Sequence, residues 1–247
     1  MKKTALLAVA LATCLGYVPA QAAEVVSSNV VGYEKITLTP GFNMIGNQFL
    51  VVGGTAFQNI NQMFKDSTQL VAGADDSEAD SILTWDGSSY SKVYYYDDYD
   101  YKWYDTDEAD PSTTTLNAGS GFWFKHAGNE TITTTLAGEV PTNATYQVQL
   151  TGGFNFVANP YPMAICPNGN YFTVEGAVAG ADDSEADSIL TWDGSSYSKV
   201  YYYDDYDNNW YDTDEADPVS DAIFAPAMGF WYRHKGTGGT LTWSKPY

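Results

Sequence analysis

Reactive potential in this chain lies in its carboxylates and its aromatic rings. Of 31 Asp and Glu residues, twelve fall within Val71 to Pro111 and twelve more within Val178 to Pro218. Clustered carboxylates repel one another unless a cation neutralises them, and calcium takes about six to eight oxygen ligands. Asp97, Asp98, Asp100, Asp105 and Asp107, with their copies Asp204, Asp205, Asp207, Asp212 and Asp214, are the candidate calcium ligands. Asp110 and Asp217 lie close behind. The spacing is not that of an EF-hand. Asp205-Tyr206-Asp207-Asn208-Asn209 begins like one but lacks its glycine, and Lys102 stands at the matching place in the first copy. The competing use of these acids is a solvated surface that keeps the chain soluble.

The rings are interleaved with the acids. Strand alternation over Tyr90 to Tyr96 puts Tyr90, Lys92, Tyr94 and Tyr96 on one face and Ser91, Val93 and Tyr95 on the other. Val93 and Tyr95 read as the core side, which leaves the first face as an exposed row. Flat rings stack on the apolar faces of sugars while acids and amides bond the hydroxyls. The candidate glycan-binding residues are therefore Tyr94, Tyr96, Trp103 and Tyr104, and in the second copy Tyr201, Tyr203, Trp210 and Tyr211. Cross-strand packing that only steadies the sheet is the competing reading.

Catalytic constellations fit less well. His126 and His234 end equivalent segments, which suits a role inside each module better than one composite active site. Cys166 has no histidine beside it in sequence, and no serine nucleophile elbow is present. A glycosidase needs two carboxylates in differently tuned environments, whereas these acids repeat as a surface. The reading is a chain that is not an enzyme.

The elements that must hold these residues come twice. At an offset of 107, 39 of the 41 positions from Val71 to Pro111 recur; the exceptions are Tyr101 and Lys102, which become Asn208 and Asn209. Outside the window the likeness loosens: Gly41-Phe42-Asn43 matches Gly153-Phe154-Asn155, and Gly121-Phe122-Trp123 matches Gly229-Phe230-Trp231. These are whole-module repeats. Ile82 to Trp85, Asp86-Gly87 and Tyr90 to Tyr96 read as a hairpin, and Trp103 to Asp105 as a third strand. Gly121 to Lys125 and Thr131 to Leu136 read as a closing hairpin. Only Phe57 to Phe64, and the stretch near Pro162 to Ile165, suit a short helix. The fold class expected is all-β, as two tandem antiparallel sandwich or barrel-like modules of about seven short strands each, over 30–141 and 145–247.

Lys2 and Lys3 precede an apolar run that ends in Ala20-Gln21-Ala22, the pattern of a secretory signal over 1–22. A lipid anchor on Cys14 is the weaker alternative, because Thr13 fits poorly before it. Removing that segment leaves Cys166 as the one cysteine, with no partner for an internal disulfide. A net charge of −20 repels phosphate backbones, so nucleic acid is an unsuitable partner. With 44% hydrophobic and 15% aromatic residues the acidity is not that of a disordered chain. No second apolar run is long enough to span a bilayer.

Gly153-Phe154-Asn155-Phe156-Val157-Ala158-Asn159-Pro160, then Thr191-Trp192-Asp193, then Pro226-Ala227-Met228-Gly229-Phe230-Trp231 resembles the repeats of secreted bacterial surface proteins. Those repeats run G-W-N-L-I-G-N-P, then Y/W-D, then P-G-x-G-F/Y-W. The chain departs from them where Gln48 replaces the proline and where phenylalanine follows the first glycine. The resemblance implies a non-enzymatic extracellular module. The expectation is a secreted or cell-surface protein with a structural or adhesive role, assembling with itself or with other envelope components, with calcium as the bridging ion. A carbohydrate-binding module for extracellular polysaccharide, with one platform per repeat, is the rival.

Overall fold

The computed structural model describes residues 30–65 and 67–247. The expected signal segment 1–22, with Cys14, lies outside them. The first module contains β1 (Val31–Leu38), β2 (Gly41–Gly46), α1 (Ile60–Met63), β3 (Ser81–Trp85), β4 (Tyr90–Tyr96), β5 (Trp103–Asp105), β6 (Gly121–His126) and β7 (Ile132–Glu139). The second contains β8 (Thr145–Ala158), β9 (Phe172–Glu175), β10 (Ser188–Trp192), β11 (Tyr197–Tyr203), β12 (Trp210–Asp212) and β13 (Gly229–Ser244). All the strand pairings are antiparallel. The fold is all-β, and its sheets do not close into a barrel.

In the first module a five-stranded sheet, β2-β6-β3-β4-β5, lies over the β1-β7 pair. Ile36, Leu38 and Leu136 from the pair meet Ile82, Tyr94, Trp103, Phe122 and Phe124 from the sheet, and α1 seals one end with Ile60 and Met63. The second module repeats this with fewer breaks: β8 and β13 run through both layers, so its strands form one sheet, with β9 added on β13. A proline explains part of the difference. Pro40 lacks the N–H that Gly152 keeps, and the chain breaks between β1 and β2 but continues through β8.

The expected closing hairpin does not form. β6 pairs with β2 and β3, whereas β7 crosses to β1, because the chain changes layers after His126. The expected helix over Phe57 to Phe64 shrinks to α1, capped by Asn59 through a reciprocal bond with Gln62. Pro162 to Ile165 is not helical; Ile165 makes an isolated bridge to Phe224.

The Gly-Phe-Asn motif is explained by its amides. Gly41 and Gly153 take φ of +83° and +93°, a conformation open to glycine, at the bend into the sheet. Asn43 then closes that bend: its Oδ1 accepts from the Thr39 amide and its Nδ2 donates to the Thr39 carbonyl, both at 2.9 Å. Asn155 does the same to Thr151 at the same distances. Four residues on, buried Asn47 and Asn159 hold the strand exits through Leu116 and Phe224.

Small residues bring the two modules together. The Gly46 amide donates to the Ala227 carbonyl at 3.0 Å, and the Ala158 amide donates to the Gly119 carbonyl at 2.9 Å. A Cβ on Gly46 would fall 2.2 Å from that of Ala158, and one on Gly121 would fall 2.4 Å from the Phe156 ring. Gly121→Val should therefore destabilise the chain by about 1–3 kcal/mol through overpacking, read as a lower urea midpoint. An unchanged midpoint would show that the modules do not meet at this distance.

Candidate functional site

Between the modules lies a layer of rings. Met44, Trp123, Phe156 and Trp231 are buried there, flanked by Leu83, Trp85, Leu190 and Trp192. These residues come from the outward faces of the two central sheets, because Leu83 and Trp85 alternate with Ile82, which points into the core. The contacts are reciprocal. Trp85 Nε1 donates to the Phe154 carbonyl at 3.1 Å, and Trp192 Nε1 donates to the Phe42 carbonyl at 2.7 Å. Trp85 sets its ring 5.2 Å from Trp231, and Trp123 sits 5.3 Å from Trp192, both edge to face. Matched exchange of this kind is the geometry of a symmetric dimer, here within one chain.

A β-bulge aims the tyrosine that completes each side. Thr84 pairs with Lys92 but Trp85 pairs with Tyr90, so Ser91 is extra and Tyr90 turns onto the face of Trp85. The same slip between Thr191 and Trp192 turns Tyr197. Trp123 Nε1 donates to the Tyr90 hydroxyl at 2.8 Å, and Trp231 Nε1 to that of Tyr197 at 3.0 Å. Two matched clefts of about 280 Å³ result, each walled by Tyr90, Tyr197 and the rings around them. Nothing in the alternation pattern announces this layer; the extra residue in each hairpin was the one available signal.

The expected row of exposed rings faces the other way. Tyr94 and Trp103 are 2% and 1% exposed, and Tyr201 and Trp210 are 7% and 4% exposed. They fill the module cores, while Val93 and Tyr95 lie on the opposite face, so the assignment of core side over Tyr90 to Tyr96 is reversed. Its cause is register: Ile82 is opposite Tyr94, and Ile82 is fully buried. Tyr96 and Tyr203 are half-buried against Trp103 and Trp210. Tyr104 and Tyr211 hydrogen-bond Asp100 and Asp207. No flat platform of these eight residues exists.

The candidate calcium ligands divide by role. Buried Asp105 and Asp212 are neutralised by Lys92 at 2.7 Å and Lys199 at 2.6 Å. Asp100 pairs with Lys102 at 2.8 Å, and Asp207 takes Asn209 instead. Asp97 and Asp204 accept the amides of Tyr99 and Tyr206, each at 2.9 Å. That leaves Asp98, Asp107, Asp205 and Asp214 exposed and directed to solvent. Among the described residues, no group of three or more His, Cys, Asp or Glu side chains converges as a metal site.

Each turn presents a tyrosine at its tip. Tyr99 is 93% exposed and Tyr206 is 91% exposed, yet their backbone is tied down by the carboxylate bonds just given. Further bonds run from Asp97 N to the Lys102 carbonyl and from Asp204 N to the Asn209 carbonyl. Tyr101 and Asn208 close the turns with φ of 57° in both copies.

Asp80 and Asp187, which sequence reasoning did not single out, anchor both histidines. His126 Nδ1 lies 2.8 Å from Asp80, and His234 Nδ1 lies 2.9 Å from Asp187, all four fully buried. Asp80 also accepts the amides of Ala127 and Val71, so one carboxylate ties three segments at the layer change. Burial nevertheless holds Asp80 above the ordinary carboxylate range, against the pull of those amides and of His126. A Cβ on Gly128 or Gly236 would strike the histidine Nε2 at 2.6 or 2.7 Å, so the backbone seals each ring. Cys166, half-buried, donates its thiol to the Val219 carbonyl at 3.5 Å.

Comparison with protein-family models, curated proteins and solved structures returns no match for the chain.

The Asp-Gly hairpins predict an acid response. Asp86 accepts the amides of Ser89 and Ser88, which lower it to about 2, and Asp193 is lowered to about 2 by Ser196 and Ser195. A carboxyl depressed by folding gives stability that is full above its unfolded value and is lost as pH falls to the folded one. Asp80, raised by burial, acts in the opposite sense. The urea midpoint should fall between about pH 4 and about pH 2, and Asp86→Ala with Asp193→Ala should shrink that fall. An equal fall in the variant would remove these turns from the acid response.

Proposed function

We propose that the chain is a non-catalytic secreted or cell-surface β-repeat protein with an adhesive or structural role. Its working parts are the two tyrosine–aspartate turns. The observation that carries this reading is the pair of nearly fully exposed rings, Tyr99 and Tyr206, held on backbone fixed by hydrogen bonds. An exposed ring on a rigid turn loses little entropy when it enters a partner's pocket, which is one reason tyrosine is enriched in binding hot spots and antibody loops. Two identical tips on one body also raise avidity, since the second contact is intramolecular once the first is made.

Charge selects the partner. Acid-rich turns of two copies repel, so self-contact needs a divalent cation, and contact with another envelope component needs a basic surface. Asp98, Asp107, Asp205 and Asp214 are not neutralised by a lysine, unlike Asp105 and Asp212. One copy offers a cation too few of them together for full coordination, whereas two apposed copies offer more. Calcium therefore enters this reading as a bridge between copies.

Electron microscopy and sedimentation of the purified protein, with calcium and with chelator at matched concentration, test the proposal. Ordered assemblies should form with calcium, dissolve with chelator and be lost in the Tyr99→Ala/Tyr206→Ala variant, whose changes lie outside the core. Dispersed single particles under both conditions would overturn calcium-bridged assembly.

A further inference from the structure

We infer that the second module carries a binding pocket for one ring of a neutral saccharide, walled by β9 and the segment before it and opened at its rim by the two residues that distinguish the copied windows. The pocket has a volume of about 230 Å³ and is lined by Asn168, Thr173, Tyr203, Asn208, Asn209 and Trp210, with Phe172 behind them. That volume suits a single pyranose. Its groups suit sugar recognition: the Asn208 amide and the Thr173 hydroxyl at the rim for the ring hydroxyls, and the half-buried ring of Tyr203 for the C–H face.

Neutrality is the informative feature. On a chain of net charge −20, none of the residues lining this pocket is charged. Asn168 is fixed by three bonds, accepting the Trp210 amide at 2.6 Å and donating to the carbonyls of Trp210 and Val219 at 2.9 and 3.0 Å. Asn209 donates to Asp207 at 2.8 Å. Asn208 and Thr173 are exposed at the rim, with their polar atoms available to a ligand.

The first module shows what closes the equivalent place. Asn61, on α1, makes the bonds of Asn168, to Trp103 and Ser112. Tyr101 there rests its ring 6.2 Å from Tyr96, the counterpart of Tyr203. Lys102 puts a charge at the rim and pairs with Asp100. With two asparagines in place of Tyr101 and Lys102, the second module lacks both the ring that packs on Tyr96 and the charge at the rim. One copy of the repeat is thus specialised for a ligand while its twin is not.

The natural difference supplies the test. Asn208→Tyr with Asn209→Lys rebuilds a turn that the first module already folds, so loss of binding cannot be ascribed to loss of structure. Saturation-transfer NMR and calorimetry on the full chain would use D-glucose, D-mannose, D-galactose, N-acetyl-D-glucosamine and their disaccharides. At least one sugar should bind, and the double variant should bind it at least tenfold more weakly. If none of these sugars binds, or if the double variant binds equally well, the pocket is not a saccharide site.

Discussion

The close approach of two sheets at Gly46, Gly121 and Gly229 governs everything else in this molecule. A side chain on Gly229 would fall 2.8 Å from the Ile45 carbonyl, and one on Gly121 within 2.7 Å of that of Val157. With those positions bare, Met44, Trp123, Phe156 and Trp231 interlock, and Phe156 stacks on Trp231 at 4.4 Å. Aromatic pairs of this kind contribute about 0.5–1.5 kcal/mol each beyond the area they bury. The indole N–H groups of Trp85, Trp123, Trp192 and Trp231 all find acceptors, two of them on the opposite module, so the layer is directional as well as apolar. A chain with one cysteine in its described part gains through this layer the rigidity that small secreted modules take from disulfides.

Rigidity gives the copied segment its meaning. β3 and the start of β4, with their twins, face the partner module; β3, β4 and β5 fill a core with their other side, and the β4–β5 connection is the acidic tyrosine turn. One stretch of sequence therefore serves interface, core and tip together, and a change at most of its positions disturbs at least one of the three. Tyr101 and Lys102 are the exception. They sit at the turn's far end, 66% and about half exposed, outside both the core and the interlayer, so the two copies were free to diverge there.

Strands of the duplicated window were legible because Asp86-Gly87 and the apolar run before it set a hairpin, and β3, β4 and β5 lie where that pattern puts them. Faces were harder. Tyr90, Lys92, Tyr94 and Tyr96 alternate cleanly, but which side is buried depends on Ile82 across the ladder, and the bulge at Ser91 reverses parity for Tyr90 alone. In a tyrosine-rich strand both sides are amphipathic, so composition does not break the tie. The layer change after His126 was hidden for a different reason. It rests on Asp80, one acid among twelve in its window, whose burial no local pattern marks.

The central claim is that the interlayer makes two modules one body and fixes the separation of the two tips. Double electron–electron resonance between spin labels at Tyr99→Cys and Tyr206→Cys, with Cys14→Ala and Cys166→Ala to remove the native thiols, measures that separation directly. A single narrow distance distribution that broadens when Trp85 and Trp192 are replaced by alanine is the result this account requires. A broad distribution in the chain with both tryptophans intact would mean that the modules move independently, and the account would fail.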